Sequence, residues 1–225
     1  DVFFAYRGYR MNYYAVTAML ARVYCWAGEY GNAYKEAKEV VDATYSTGST
    51  STASCFNFSN SLTTNRKDYN SIIMPFFKST CYEDDLPYMT KGNDVVLVVN
   101  TTNLFGDEAG ADDRNLDLFG DWDGGDIKYS FKYDIKEGTS GTDMIPAIRL
   151  SEMYYIMGEY FARKGEYSQA GKMLDEVRYA RGILTTNMEN SIGSLEGFHT
   201  ELLKDMRKEF VGEGQMFFQY KRMDK

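Results

Sequence analysis

The chain has one histidine, His199, in 225 residues, which excludes any site built from several histidines and any mechanism that needs two. Its three cysteines, Cys25, Cys55 and Cys81, are odd in number and lack metal-ligand spacing. Cys25 falls in a helical pattern and reads as a small core residue, whereas Cys55 and Cys81 lie in loop-like sequence where a disulfide is open to an exported protein. No basic run is present. The net charge is −8 and the pI about 4.8, so the electrostatic footprint for nucleic acid or anionic lipid is missing. The longest notable apolar run, Val95 to Val99, is far shorter than a bilayer crossing requires. The first ten residues are neither apolar enough nor suitably flanked for a signal peptide, and there is no start methionine; location stays open. There is no nucleophile elbow, phosphate loop or metal-binding helix motif. His199, beside Thr200 and Glu201 on a predicted helix, reads as solvated or partly buried. No catalytic residue, cofactor or metal is expected, and the carboxylate pairs that glycoside hydrolysis needs cannot be tested by spacing.

Against these absences stands a 44% hydrophobic content, enough for a sizeable core. In the stretch from Ile148 to Gly182, Leu150, Met153, Tyr154, Met157, Tyr160 and Phe161 recur three or four residues apart, which lines one face of a helix. Gly165-Glu166-Tyr167 interrupts the pattern, and Ala170, Met173, Leu174 and Val177 restart it: a helical hairpin. A twin lies between Met11 and Ala43, with its own Gly-Glu-Tyr turn at Gly28, Glu29 and Tyr30. The offset is 137 residues, from Gly28 to Gly165, and it superposes Ala21 on Gly158, Tyr24 on Phe161, Ala33 on Ala170, Ala37 on Leu174 and Val40 on Val177. Small residues fall on small and apolar on apolar. The pair resembles the tetratricopeptide unit of about 34 residues, which needs stacked neighbours to bury its apolar stripe.

Between the hairpins the chain changes character. From Thr44 to Thr64 it is rich in Ser, Thr, Asn and Gly, with Phe56 and Phe58 among them, and reads as an exposed loop. Tyr69 to Phe77 and Val95 to Val99 are short apolar runs that predict strands or buried extended segments. Gly106 to Asp126 is acidic and glycine-rich. Calcium is its sharper reading, because hard cations select carboxylate oxygens, but the ligand order of an EF-hand is absent and a solvated loop is the expectation. After the second hairpin, Thr185 to Gly193 reads as a loop. Ser194 then caps a helix showing Leu195, Phe198, Leu202, Met206 and Phe210, stopped by Gly212, and an aromatic tail to Arg222 is expected to pack on the bundle. The expected organisation is one domain: a hairpin over 11–43, a loop-rich insert over 44–147, a hairpin over 148–182 and a C-terminal helix with its tail over 194–222.

Four pieces in this order resemble the SusD/RagB family of outer-membrane nutrient-binding lipoproteins of Bacteroidetes. They are LARVYCWAGEYGNAYKEAKEVV; Asp113-Arg114 with Lys132-Tyr133; IPAIRLSEMYYIMGEYFARKGEYSQAGKMLDEVRYARG; and MRKEFVGEGQMFFQYKR. Met206, Gln215 and Phe218-Gln219 depart from the family's usual acidic, arginine and Asp-Leu residues and mark a divergent member. The resemblance implies a mainly α, SusD-like fold of tetratricopeptide-like hairpins (an α-α superhelix) with a long insert containing minor β. It also implies a lipid-anchored protein of the outer membrane's outer surface that captures an oligo- or polysaccharide and delivers it to a SusC-like TonB-dependent transporter. No family motif fixes a binding residue. With 19 Tyr, 14 Phe and 2 Trp, flat aromatic faces are available to cover sugar C–H faces, and the loop aromatics Trp122, Tyr82 and Tyr88 are the candidates. Trp122, set among glycines and carboxylates, has no helical stripe to explain it, though it could instead plug its loop onto the core. The alternative function is a tetratricopeptide-type scaffold that grips protein partners without binding carbohydrate.

Overall fold

A computed structural model describes residues 10–47, 51–78, 80, 96–133, 144–185 and 187–224. Tyr82, Tyr88 and Cys81, and with Cys81 the question of a disulfide to Cys55, lie outside the described residues. The first hairpin consists of α1 (Tyr13–Ala27) and α2 (Tyr30–Val41). Asn12 starts α1 as expected, its side chain accepting from the Ala15 amide at 3.0 Å. Small residues Ala15, Ala18, Ala21 and Cys25 line the buried side of α1, and this lets Ala33 and Ala37 of α2 come close.

The insert holds more regular structure than its composition suggests. Strands β1 (Thr44–Ser46) and β2 (Thr52–Ser54) pair antiparallel inside the stretch expected to be a loop. Leu62 of that stretch is buried. A single 3-10 turn, Tyr69–Ser71, leads into β3 (Ile72–Phe77); β4 (Val98–Asn100) follows, and it is more exposed than a buried run would be. Next come α3 (Thr101–Phe105), a 3-10 turn (Gly106–Glu108), α4 (Asp113–Leu118), β5 (Phe119–Asp121) and β6 (Ile127–Ser130). The acidic segment is therefore two short helical pieces and an edge strand leading into a turn whose residues 123–126 are exposed, as a solvated loop would be, while Asp112 within it is fully buried. Strand order is β4-β6-β5, antiparallel throughout. β7 (Met144–Arg149) pairs antiparallel with β3, so the end of the insert returns to a strand that began 72 residues into the chain.

The second hairpin is α5 (Leu150–Arg163) and α6 (Tyr167–Ala180). Its turn repeats the first in atomic detail. Gly28 and Gly165 both sit at φ 77°, a left-handed conformation that glycine adopts without strain. The amides that follow close the helix end alike: Glu29 donates to the Tyr24 carbonyl and Glu166 to the Phe161 carbonyl, each at 2.9 Å. The expected one-sided stripe on α5 is too narrow. Met153, Ile156 and Met157 face one core, shared with α1, α2, β3 and β7, while Tyr155 and Ala162 face a second, shared with α6 and the C-terminal helix. Tyr154 and Phe161 are only partly buried. A helix with cores on two sides must be apolar nearly all round.

The polar stretch after α6 contains α7 (Met188–Ser191), fastened because the Asp175 carboxylate accepts from the Met188 and Glu189 amides at 3.0 and 2.9 Å. Gly171 allows the approach: a Cβ there would lie 2.1 Å from the Met188 carbonyl oxygen. Then α8 (Leu195–Glu209) starts at Ser194, whose hydroxyl accepts from the Gly197 amide at 3.0 Å. The aromatic tail is α9 (Met216–Met223). It packs on the bundle as expected, through Gln219, Met216 and Met223, although its aromatics Phe217 and Phe218 face solvent.

One buried ion network ties insert, hairpin and C-terminal helix together. Arg114 bonds Asp112 at 2.7 Å, Glu209 at 3.1 Å and Asp205 at 3.2 Å. Arg181 bonds Glu209 at 2.6 Å and Asp68 at 2.8 Å. Lys132 and Arg149 both reach Glu213, at 2.6 and 2.5 Å. Glu108 bridges Arg178 and Lys208. Burial alone would disfavour the Glu209 carboxylate, yet Arg181 and Arg114 hold it well below the usual range. Burial, with Arg114 adding repulsion, lowers Lys208 to about 8. Three of the four sequence pieces singled out above therefore meet in one structural knot.

Candidate functional site

The described residues enclose a groove of about 440 Å³ between α1, the β3–β7 pair and α9. Its walls are apolar: Met19 and Trp26 from α1, Met74 and Phe76 from β3, Ile145 and Pro146 from β7, and Phe218 from α9. Trp26, Phe76 and Phe218 are all exposed, and the Trp26 and Phe218 rings meet edge to face at 6.5 Å. The main-chain carbonyl of Ala147 pins the two helices to the strand, accepting from Arg22 Nη2 at 2.7 Å and from Gln215 Nε2 at 3.0 Å. Arg22 is further held by Glu152, its Nε and Nη2 at 2.7 and 2.5 Å from the two carboxylate oxygens. Glu213, at the groove's edge, belongs to the ion network through Arg149 and Lys132.

Gln215 and Gln219 are the polar groups with capacity left. Gln215 uses its Nε2 on Ala147, and Gln219 uses its Oε1 to accept from Arg222 Nε at 3.2 Å. One amide oxygen and one amide nitrogen stay available, which matches a hydroxyl that both donates and accepts. Aromatic faces beside a few fixed polar groups, in a concavity of this size, suit a ligand of small-oligosaccharide dimensions.

Behind the groove, Glu159 joins α5 to α8 and α9. Arg222 reaches it at 2.8 Å, Arg163 at 2.9 Å, and His199 Nε2 lies 3.6 Å away, so the lone histidine is mostly buried against a carboxylate. Burial opposes the charge of Glu159, but His199, Arg222 and Arg163 hold its carboxyl well below the usual range. Cys25 is buried beside it, its thiol pushed up to about 12 by burial and by Glu159. The described residues contain no group of three or more His, Cys, Asp or Glu placed to hold a metal ion.

Trp122 lies elsewhere, half-buried on the turn between β5 and β6, with its amide donating to the Ile127 carbonyl at 3.3 Å. It does not line the groove. Sequence reasoning passed over Trp26 because it falls inside a helix and Phe218 because it falls in a tail expected to pack. A signal was available: by helical spacing Trp26 follows Met19 and Val23 on a side of α1 distinct from its run of small residues.

A family model described as the SusD family matches residues 21–225. Two solved SusD superfamily proteins from Bacteroides thetaiotaomicron are similar over 94% and 97% of this chain, with TM-scores of 0.67 and 0.72 and identities of 24% and 17%. A surface glycan-binding protein A from Bacteroides uniformis is similar over 93%, with a TM-score of 0.64 and 17% identity. This chain spans about half of their length, covering 50%, 51% and 49% of those proteins. No curated protein matches it. With hairpin, insert, hairpin and C-terminal helices in the expected order and the family model matched from Ala21 to the last residue, the chain belongs to the SusD family.

Proposed function

We propose that this protein captures an oligo- or polysaccharide at the cell surface and delivers it to a SusC-like TonB-dependent transporter, held at the outer membrane by a lipid anchor outside this sequence. It acts as a binder and not as an enzyme. The observation that carries the reading is the groove, where the exposed rings of Trp26 and Phe218 stand beside the free amide atoms of Gln215 and Gln219. A pyranose ring has an apolar C–H face and a hydroxyl rim, and the groove offers a surface for each. Solved relatives named as a surface glycan-binding protein and a laminarin-binding SusD-like protein support the ligand class. Trp122 is retained as a second contact on its turn, and Tyr82 and Tyr88 remain candidates.

Affinity electrophoresis through gels containing neutral polysaccharides, followed by titration calorimetry, tests the proposal. At least one glycan should retard the chain, and Trp26→Ala should weaken binding about fivefold to tenfold, the loss of roughly 1–1.4 kcal/mol of ring contact. Retardation by no glycan would remove the reading. Retention of full affinity in Trp26→Ala with loss in Trp122→Ala would move the site to the β5–β6 turn.

A further inference from the structure

The ion network surrounds a small cavity of about 10 Å³, room for a single water-sized species. Six of the side chains on its wall are buried cations: Lys67, Arg114, Lys132, Arg149, Arg181 and Lys208. Only two carboxylates, Asp68 and Glu209, share the wall with them. Glu108, Asp112, Asp205 and Glu213 pair with these cations from positions off the wall. Positive charge therefore faces inward.

The two wall carboxylates are already committed. Glu209 Oε1 accepts from Arg181 at 2.6 Å, and its Oε2 accepts from Arg181 and Arg114, both at 3.1 Å. Asp68 accepts from Arg181 Nη2 and from the Ser59 amide, both at 2.8 Å. Arg181 has donors to spare. Its Nε and Nη2 are spent on those carboxylates, but Nη1, on a residue 2% exposed, has no partner. A buried guanidinium nitrogen left without an acceptor is costly, and so are six cations turned toward one space. Two lysines register the crowding. Burial disfavours the charge of both, Arg149 adds to the effect at Lys132 and Arg114 adds to it at Lys208. A water molecule would accept from Nη1 but would also have to donate, and it carries no charge to set against the cations. A small anion only accepts and supplies that charge.

We propose that this cavity is an anion site that takes one monoatomic halide, chloride in a saline medium, bound by Arg181 Nη1 within the surrounding cations. Sulfate and phosphate exceed a space of this volume. The wall draws on the insert, on β7, on the residue that ends α6 and on α8, so the ion is the shared counter-charge of every segment the network joins. The cavity and the groove have no lining residue in common, and the inference is independent of what the groove binds.

The test compares thermal unfolding of the 225-residue chain in sodium chloride, sodium bromide and sodium gluconate at equal ionic strength. Chloride and bromide should raise Tm saturably above the gluconate value, by about 5–10 °C once the halide is a hundredfold above its half-saturating concentration. Lys132→Met takes one cation from the wall and should raise that half-saturating concentration about tenfold or more. Should Lys132→Met not fold, diffraction from crystals of the unaltered chain soaked in bromide supplies the second measurement, with an anomalous peak expected beside Arg181 Nη1. Equal Tm in the three salts overturns the proposal. So does a halide effect that Lys132→Met leaves unchanged, and so does an ordered water at the cavity with no anomalous signal in bromide.

Discussion

Arg181→Met removes the cation that links the insert to the C-terminal helix, and its consequence follows from the geometry. The guanidinium is buried, bonds Glu209 through Nη2 at 2.6 Å and Nε at 3.1 Å, bonds Asp68 at 2.8 Å, and lies 4.8 Å over the Phe58 ring. Deleting it leaves Glu209 dependent on Arg114 and the buried carboxylate of Asp68 without its cation. Breaking a buried pair from one side costs about 3–5 kcal/mol, because the surviving charge stays desolvated. At about 2–4 °C per kcal/mol for a chain of this size, Tm should fall by roughly 6–20 °C. Glu209→Gln should lose a similar amount. The double variant should lose less than the two together, by about 2 kcal/mol, since each single change already strands the other partner. Urea unfolding followed by circular dichroism supplies all four corners of the cycle. A loss under about 1 kcal/mol for Arg181→Met, or simple additivity in the double variant, would refute the network as the joint between insert and helices.

Acid should unfold the protein from a definable point. Glu159 and Glu209 are held below the ordinary value of 4.5 in the fold, so below about that pH the unfolded chain binds more protons and stability falls with falling pH. Each group contributes up to about 1.4 kcal/mol per pH unit, and Glu159→Gln should flatten the decline in urea midpoint between pH 4.5 and 3. Gly28→Ala and Gly165→Ala should each destabilise by about 1–2 kcal/mol, and by nearly equal amounts, because neither site has any atom within 4 Å of the new Cβ and only backbone strain is at work. Gly171→Ala, whose Cβ would collide with the Met188 carbonyl, should lose more and loosen α7, visible as faster amide exchange at Met188 and Glu189.

The hairpins were legible because their determinants are local. Apolar spacing, a glycine able to take φ 77° and small residues in register act within a dozen residues, and the same letters at Gly28 and Gly165 produce the same hydrogen bonds. The short elements of the insert were not legible. β1, α4 and α7 span three, six and four residues, too few for a period to show, and each is held by partners that composition does not reveal. The acidic stretch misled for the same reason: Glu108 looks solvated until Arg178 and Lys208 arrive from other parts of the chain, and Asp112 is buried against Arg114, two residues along in the same stretch.

By itself, then, the sequence determined two matching α-hairpins, their turns and caps, the absence of histidine-rich chemistry and, through four spaced motifs, the family. Tertiary structure alone decided which apolar faces are covered. A helical row marks a face that repels water, and the row Leu150, Met153, Met157 and Tyr160 of α5 recurs on α1 as Tyr13, Val16, Leu20 and Val23, yet only on α5 does α2 cover it. It also decided where Trp26 meets Phe218, because rings so far apart along the chain become neighbours only once the helices and the β3–β7 pair have closed around them. Burial and concavity are properties of packing, and no periodicity within one segment encodes its partner.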